Sequence, residues 1–154
     1  MKKIFFALSV LVALFASDGC IKDTACKNKT VQSEEATIIS YASAQGITAT
    51  AHSSGLYYQI TNPGSGPTPT STSTVFIKYT GKLLDGTIFD SRTTPISNKL
   101  NEMIQGFQIG LPLIQKNGII KLIIPSSLGY GCTGFSAVPG NSILYFEVEL
   151  TDVQ

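Results

Sequence analysis

The 154-residue sequence has no tryptophan, one histidine and only three cysteines, and each scarcity closes off a class of chemistry. His52 stands alone in a Ser/Thr-rich stretch, so a Ser-His-Asp arrangement would have to rest on that single ring. A lone surface histidine is the plainer reading. Three cysteines without a CxxC spacing make no zinc site. Neither Gly129-Tyr130-Gly131 nor Gly64-Ser65-Gly66 sits in a GxGxxG or P-loop frame, so the sequence offers no phosphate cradle. Charged residues are few (14%) and balanced, 11 basic against 10 acidic, with no run of either sign. That lacks the clustered basic face by which proteins hold nucleic acid. No apolar run reaches the roughly 20 residues of a membrane span. An enzyme drawn from this set works without metal, cofactor or nucleophile.

What is present begins with an export signal. Met1-Lys2-Lys3 is a short basic start, and Ile4 to Ala16 is apolar apart from one serine, the pattern of a secretory h-region. Ser17 and Gly19 before Cys20 resemble a bacterial lipobox, in which the cysteine is acylated and becomes the new N-terminus. Asp18 inside the box and the missing leucine three residues before Cys20 depart from that pattern. An ordinary signal peptide cut near the same place is the alternative. The expectation is a signal peptide over 1–19, lipidation at Cys20, and an exported protein held on a membrane, facing the periplasm or the cell exterior. Cys26 and Cys132 remain; an oxidising compartment would permit them to pair. The sequence does not decide it, and two free thiols is the plainer reading.

Residues 20–54 read as a polar tether with one short helix. Ser33-Glu34-Glu35 has the composition of a helix start, Ile38, Tyr41 and Ala42 share a helical face, and Gly46 is a natural stop. That helix packs on the domain or extends the tether. From Gly55 onward the pattern turns to strands. Leu56–Ile60 is closed by the turn-rich 62–67, and Thr68–Thr74 reads as a loop and strand entry. Val75–Thr80 is β-branched and aromatic. Asp85-Gly86 between apolar residues signals a hairpin. A brief helical pattern runs through Leu100–Ile104, Leu111 and Ile114, interrupted by Gly106, Gly110 and Pro112. Ile119–Ile124 is a near-continuous apolar strand, and Phe146, Val148 and Leu150 alternate with Glu147 and Glu149. The sum is an α+β domain over 55–154, an antiparallel sheet with a short helix against it.

Four stretches in this region carry a resemblance. Tyr79-Thr80-Gly81 with Asp85-Gly86 and Phe89-Asp90-Ser91, then Pro95 to Gly106, then Ile124-Pro125-Ser126 with Tyr130-Gly131, then Val138-Pro139 with Leu144–Leu150, are similar in order and spacing to the FKBP family of peptidyl-prolyl cis/trans isomerases. The resemblance covers roughly Gly55 to Val153. It implies a twisted antiparallel sheet wrapping a short helix, with a proline pocket between them.

Carried over by position, Asp90, Tyr130 and Phe146 would be the catalytic residues. Tyr79, Phe89, Met103, Ile104, Phe107 and Val138 would bind substrate, and no metal or cofactor is implied. Three positions depart from the family pattern. Phe107 stands where tryptophan usually floors the pocket, Asn98 where a phenylalanine is frequent, and Gly140 where a second proline is common. Asn98 is expected to make one wall more polar, and Gly140 to loosen the loop after Pro139. The implied activity is isomerisation of X–Pro bonds in exported polypeptides, with the family's macrolides as possible ligands. The other reading is a chaperone-like, peptide-binding module of the same fold with little or no catalysis.

Overall fold

The computed structural model describes residues 25–154; the expected signal peptide and Cys20 lie outside them. Six strands form one sheet: β1 (Thr50–Ala51), β2 (Tyr57–Asn62), β3 (Thr74–Leu83), β4 (Ile88–Lys99), β5 (Gly118–Ile124) and β6 (Leu144–Val153). Two α-helices accompany it, α1 (Val31–Ala44) and α2 (Gln105–Gly110). The strand order is β1-β2-β5-β6-β3-β4, and every neighbouring pair is antiparallel. The α+β architecture expected from the sequence is the one observed.

Strand alternation divides the buried residues between two faces. Leu144, Phe146, Val148 and Leu150 of β6 point into the main core with Ile120, Leu122 and Ile124 of β5. Ile123 and Tyr145 point the other way, where Ile38 and Ala42 of α1 cover them with Tyr57, Ile47 and Ile143. This double coverage explains why β5 reads as an almost unbroken apolar run. Its Ile123 is buried beneath a helix, whereas alternation alone would have left that position polar.

The glycines that interrupt the pattern around residue 106 are the contact surface of α2. A Cβ on Gly106 would stand 2.6 Å from Ile124 Cδ1, and one on Gly110 2.7 Å from Leu122 Cδ2. Their bareness lets the helix lie directly on β5, with Leu111 and Ile114 completing the core beyond it.

α1 begins one turn earlier than its acidic pair suggests. Thr30 is the N-cap, its side chain accepting from the Ser33 N–H at 3.2 Å, and the helix ends at Gln45 before Gly46 at φ +64°. Ahead of α1, Cys26 and Cys132 are joined in a disulfide with a Cα–Cα separation of 5.6 Å. The reading of two free thiols is therefore corrected: folding brings together cysteines 106 residues apart. Asn28 Oδ1 accepts the Cys132 N–H at 2.8 Å, the Lys29 N–H donates to Asn141 Oδ1 at 3.2 Å, and Asn141 Nδ2 donates to the Lys27 carbonyl at 3.2 Å.

β4 runs along the sheet edge and is the least regular strand. Gly81 pairs with Asp90 but Lys82 with Ile88, so Phe89 is an extra residue in the ladder. Farther along, Ile77 pairs with Ile96 and Tyr79 with Arg92, which leaves Thr93, Thr94 and Pro95 opposite Lys78 alone. Bulges re-aim side chains and bend the strand, and a proline is tolerated there because it has no ladder bond to lose.

Candidate functional site

The inner face of the sheet carries a cluster of four aromatic rings. Phe146 on β6 is its centre, with ring centroids 4.8 Å from Phe107, 5.5 Å from Phe89 and 5.8 Å from Tyr79; Tyr79 and Phe107 are 6.1 Å apart. Phe89 meets Phe146 edge-on at 89°, which sets the positive ring edge against the negative face. Phe89 reaches this position from the bulge that makes it supernumerary in β4. Gly81, paired with Phe146 across β3 and β6, makes room for both rings: a Cβ there would lie 2.6 Å from Phe146 Cε1 and 2.8 Å from Phe89 Cζ. Phe146 and Phe107 are 2% and 5% exposed, so they form a floor, while Tyr79 and Phe89 are partly open.

A polar group is held at the edge of this cluster. The Tyr79 hydroxyl donates to Asp90 Oδ2 at 2.5 Å, and Arg92 approaches Asp90 Oδ1 at 3.5 Å. Burial, then the hydrogen bond to Asp90 and its charge, push the Tyr79 phenol up to about 12, with Arg92 pulling weakly the other way. Tyr79 is thus a neutral donor through the physiological range. Asp90 spends one oxygen on it.

Above lies a cleft of about 270 Å³ lined by Phe89, Asp90, Arg92, Tyr130 and the loop 135–138. Tyr130 is half-buried, and burial, then the charge of nearby Asp90, raise its phenol above the ordinary value. Among the described residues its hydroxyl has no hydrogen-bond partner. Phe135, 64% exposed, stacks on the Tyr130 ring at 5.3 Å and 19°. Two backbone bonds, 2.9 and 2.8 Å, join Phe135 and Val138 around a tight turn at Ser136, whose φ is +50°.

The expected site residues thus fall in three groups. Phe89, Asp90, Tyr130 and Val138 line the cleft; Tyr79, Phe107 and Phe146 form the ring cluster next to it; Met103 and Ile104 pack on the main core and are not among the lining residues. Asn98 is not a wall either: it is exposed and pairs with Val75 far along the edge strand. Gly140 lies against the Cys132 backbone. A Cβ there would run into the Cys132 carbonyl, so the bare glycine permits close packing. Arg92 and the 135–137 segment escaped the sequence reading. Arg92, two residues after Asp90, shares its strand face, a signal that was legible; the loop's position depends on distant contacts.

Comparison with known proteins adds the following. A family model described as FKBP-type peptidyl-prolyl cis-trans isomerase matches residues 66–151, more than half of the chain. FKBP-type peptidyl-prolyl cis-trans isomerase FkpA of Escherichia coli (strain K12) is 45% identical over 105 residues, covering 66% of this chain and 39% of that protein. A probable FKBP-type peptidyl-prolyl cis-trans isomerase of Haemophilus influenzae is 46% identical over 104 residues, covering 65% of this chain and 43% of that protein. The chain therefore spans about two fifths of the length of these relatives. The crystal structure of E. coli FkpA superposes with a TM-score of 0.71 at 39% identity, covering 80% of this chain and 61% of that one. A peptidyl-prolyl cis-trans isomerase structure from Pseudomonas syringae gives a TM-score of 0.69 at 26% identity, covering 83% of this chain and 98% of that one.

Proposed function

Since the chain belongs to the FKBP-type peptidyl-prolyl cis-trans isomerase family, we propose that it rotates X–Pro bonds in exported polypeptides, in the cleft between Phe89, Tyr130 and Val138. The observation that carries this reading is convergence. Phe89 and Asp90 of β4, Tyr130 of the turn after β5 and Val138 of the following loop come from separate stretches and meet around one cleft over an aromatic floor.

The chemistry needs no covalent step. Twisting an amide breaks its resonance against a barrier of about 18–20 kcal/mol. The planar form carries more negative charge on oxygen, which water stabilises, and the twisted form carries less. A cleft whose aromatic and aliphatic walls strip water from the proline disfavours the planar state relative to the twisted one. Phe89 and Val138 grip the ring, and Phe146 and Phe107 back them. The free Tyr130 hydroxyl donates to a substrate carbonyl and fixes its orientation. Asp90, held by Tyr79 and Arg92, keeps the polar edge in shape. Each tenfold in rate needs about 1.4 kcal/mol, within reach of such a site.

Export, and a membrane anchor through an acylated Cys20, complete the proposal. The disulfide supports an oxidising compartment, and among the described residues no helix is long and apolar enough to cross a membrane. Mass spectrometry of the mature N-terminus tests the anchor, and an unmodified residue there removes it. Isomerisation is tested with a protease-coupled proline-peptide assay on the purified oxidised chain. The expected result is a rate above buffer that a family macrolide suppresses by filling the cleft. Folded protein with no rate above buffer sinks the enzyme reading and leaves the peptide-binding module, which the smaller floor at Phe107 would suit.

A further inference from the structure

The turn that carries Tyr130 is held at both ends by the N-terminal segment. At its start, Glu34 of α1, only 2% exposed, accepts the Ser126 N–H at 2.8 Å through Oε2. Ser126 is the residue on which the turn closes: its carbonyl accepts from the Gly129 N–H at 3.1 Å and the Gly131 N–H at 2.8 Å. At its end, Cys132 is bonded to Cys26 and donates its N–H to Asn28 Oδ1. Gly131 lies so close that a Cβ on it would stand 2.7 Å from the same Asn28 oxygen.

The following loop is held across its base as well. The Asn141 N–H donates to the Gly131 carbonyl at 2.7 Å, and the Asn141 side chain bridges Lys27 and Lys29. Residues 26–29 therefore cross both legs of the loop whose tip, 135–138, walls the cleft.

We infer that residues 26–34 are a positioning strap for the cleft, setting Tyr130 and the 135–138 wall through Cys26, Asn28 and Glu34. The inference rests on the isomerase reading of that cleft. Its physical content is a division of labour. Phe89, Asp90, Tyr79 and Phe146 stand on β3, β4 and β6, which these strap contacts do not touch. Tyr130 and the loop have the strap as their brace. Loss of the strap weakens the grip on substrate more than it alters the floor.

The test is a set of variants of the full chain, read below their unfolding temperatures: Cys26→Ser with Cys132→Ser, and Asn28→Ala, which keeps the disulfide. Amide hydrogen exchange over 130–142 is expected to speed up at least about tenfold in the double variant, and in Asn28→Ala, where the disulfide holds the global stability, β3, β5 and β6 are expected to keep their protection. KM for a proline peptide is expected to rise about tenfold with kcat changed less than about twofold, and Asn28→Ala to move both readouts the same way by less. Unchanged loop exchange overturns the strap, and so does faster exchange with KM unmoved. Should the unmodified chain show no isomerase rate, that reading fails on its own. Peptide affinity by calorimetry then replaces KM, and equal affinities overturn the strap.

Discussion

Replacing Gly81 with alanine adds one methyl at the point where β3 passes beneath the ring cluster, and its effect follows from distances. The new carbon would sit 2.6 Å from Phe146 Cε1 and 2.8 and 3.0 Å from two atoms of Phe89, whereas carbons pack at about 3.5–4.0 Å. A ring must therefore move by about 1 Å. Phe146 has little freedom, being 2% exposed and enclosed by Phe107 and Tyr79, so Phe89 is displaced toward the cleft. Overpacking of this kind costs about 1–3 kcal/mol. Replacing a strand glycine returns about 0.5–1 kcal/mol of chain entropy. The net is about 0–2.5 kcal/mol of destabilisation, centred a little above 1, or a fall in Tm of up to roughly 10 °C for a domain of this size. Because Phe89 lines the cleft, kcat/KM should fall as well, by roughly ten- to a hundredfold. Gly110→Ala is the control: its methyl would crowd Leu122 at 2.7 Å, in the core beneath α2, and should cost similar stability with little loss of rate. Thermal unfolding and the peptide assay on both variants decide the matter. A Gly81→Ala protein with unchanged Tm and rate would refute the packing argument. Equal rate losses in the two variants would refute the link from ring to cleft.

Three further outcomes are expected. Tyr130→Phe should lower kcat/KM about tenfold and leave Tm within about 2 °C, since the lost hydroxyl has no partner among the described residues; a full rate in that variant means Tyr130 does not touch substrate. The Tyr79 phenol is raised to about 12 in the folded protein, so its contribution is fully present below pH about 10, its ordinary value. That contribution is lost as pH climbs toward 12. Denaturant unfolding between pH 8 and 11.5 should show a decline that Tyr79 shares with Tyr41, Tyr57, Tyr130 and Tyr145, whose phenols are also raised, and Tyr79→Phe should make it shallower. Reducing the Cys26–Cys132 bond releases a closed loop spanning a separation of 106 residues, worth about 4.7 kcal/mol in the chain-entropy account. The chemical-denaturation midpoint should drop accordingly, and an unchanged midpoint would mean the bond constrains nothing.

Strands were legible wherever one side chain in two was buried. β6 shows this best: Phe146, Val148 and Leu150 went inward and Glu147 stayed out. β4 beyond Asp90 was not legible. As an edge strand with Ser91, Thr93, Thr94, Pro95 and Asn98 it has no apolar period to read, and its place comes from pairing with β3. The start of α1 was misplaced because Thr30 and Ser33 are both good caps, and only backbone geometry chooses between them. Within the site, the residues near the sheet were proposed through their motif. Phe135 and its neighbours were not, because the loop is held by Asn28 and Cys26, more than 100 positions earlier. Met103 and Ile104, assigned to the cleft by position, pack against the main core while staying partly exposed, as Tyr79 and Phe89 do.

The irregular course of β4 has a meaning for any protein that meets unfolded chains. A sheet's outer rim is a template: its free amides and carbonyls invite a stray extended segment to join. Here one rim is β1, only two residues long. The other is broken by the supernumerary Phe89 and by Thr93–Pro95, with Arg92 projecting beside the second break. A visiting polypeptide finds no straight ladder to extend. The same bulge that swings Phe89 toward the cleft interrupts the rim, so attraction at one place and refusal at another share a single departure from regular pairing.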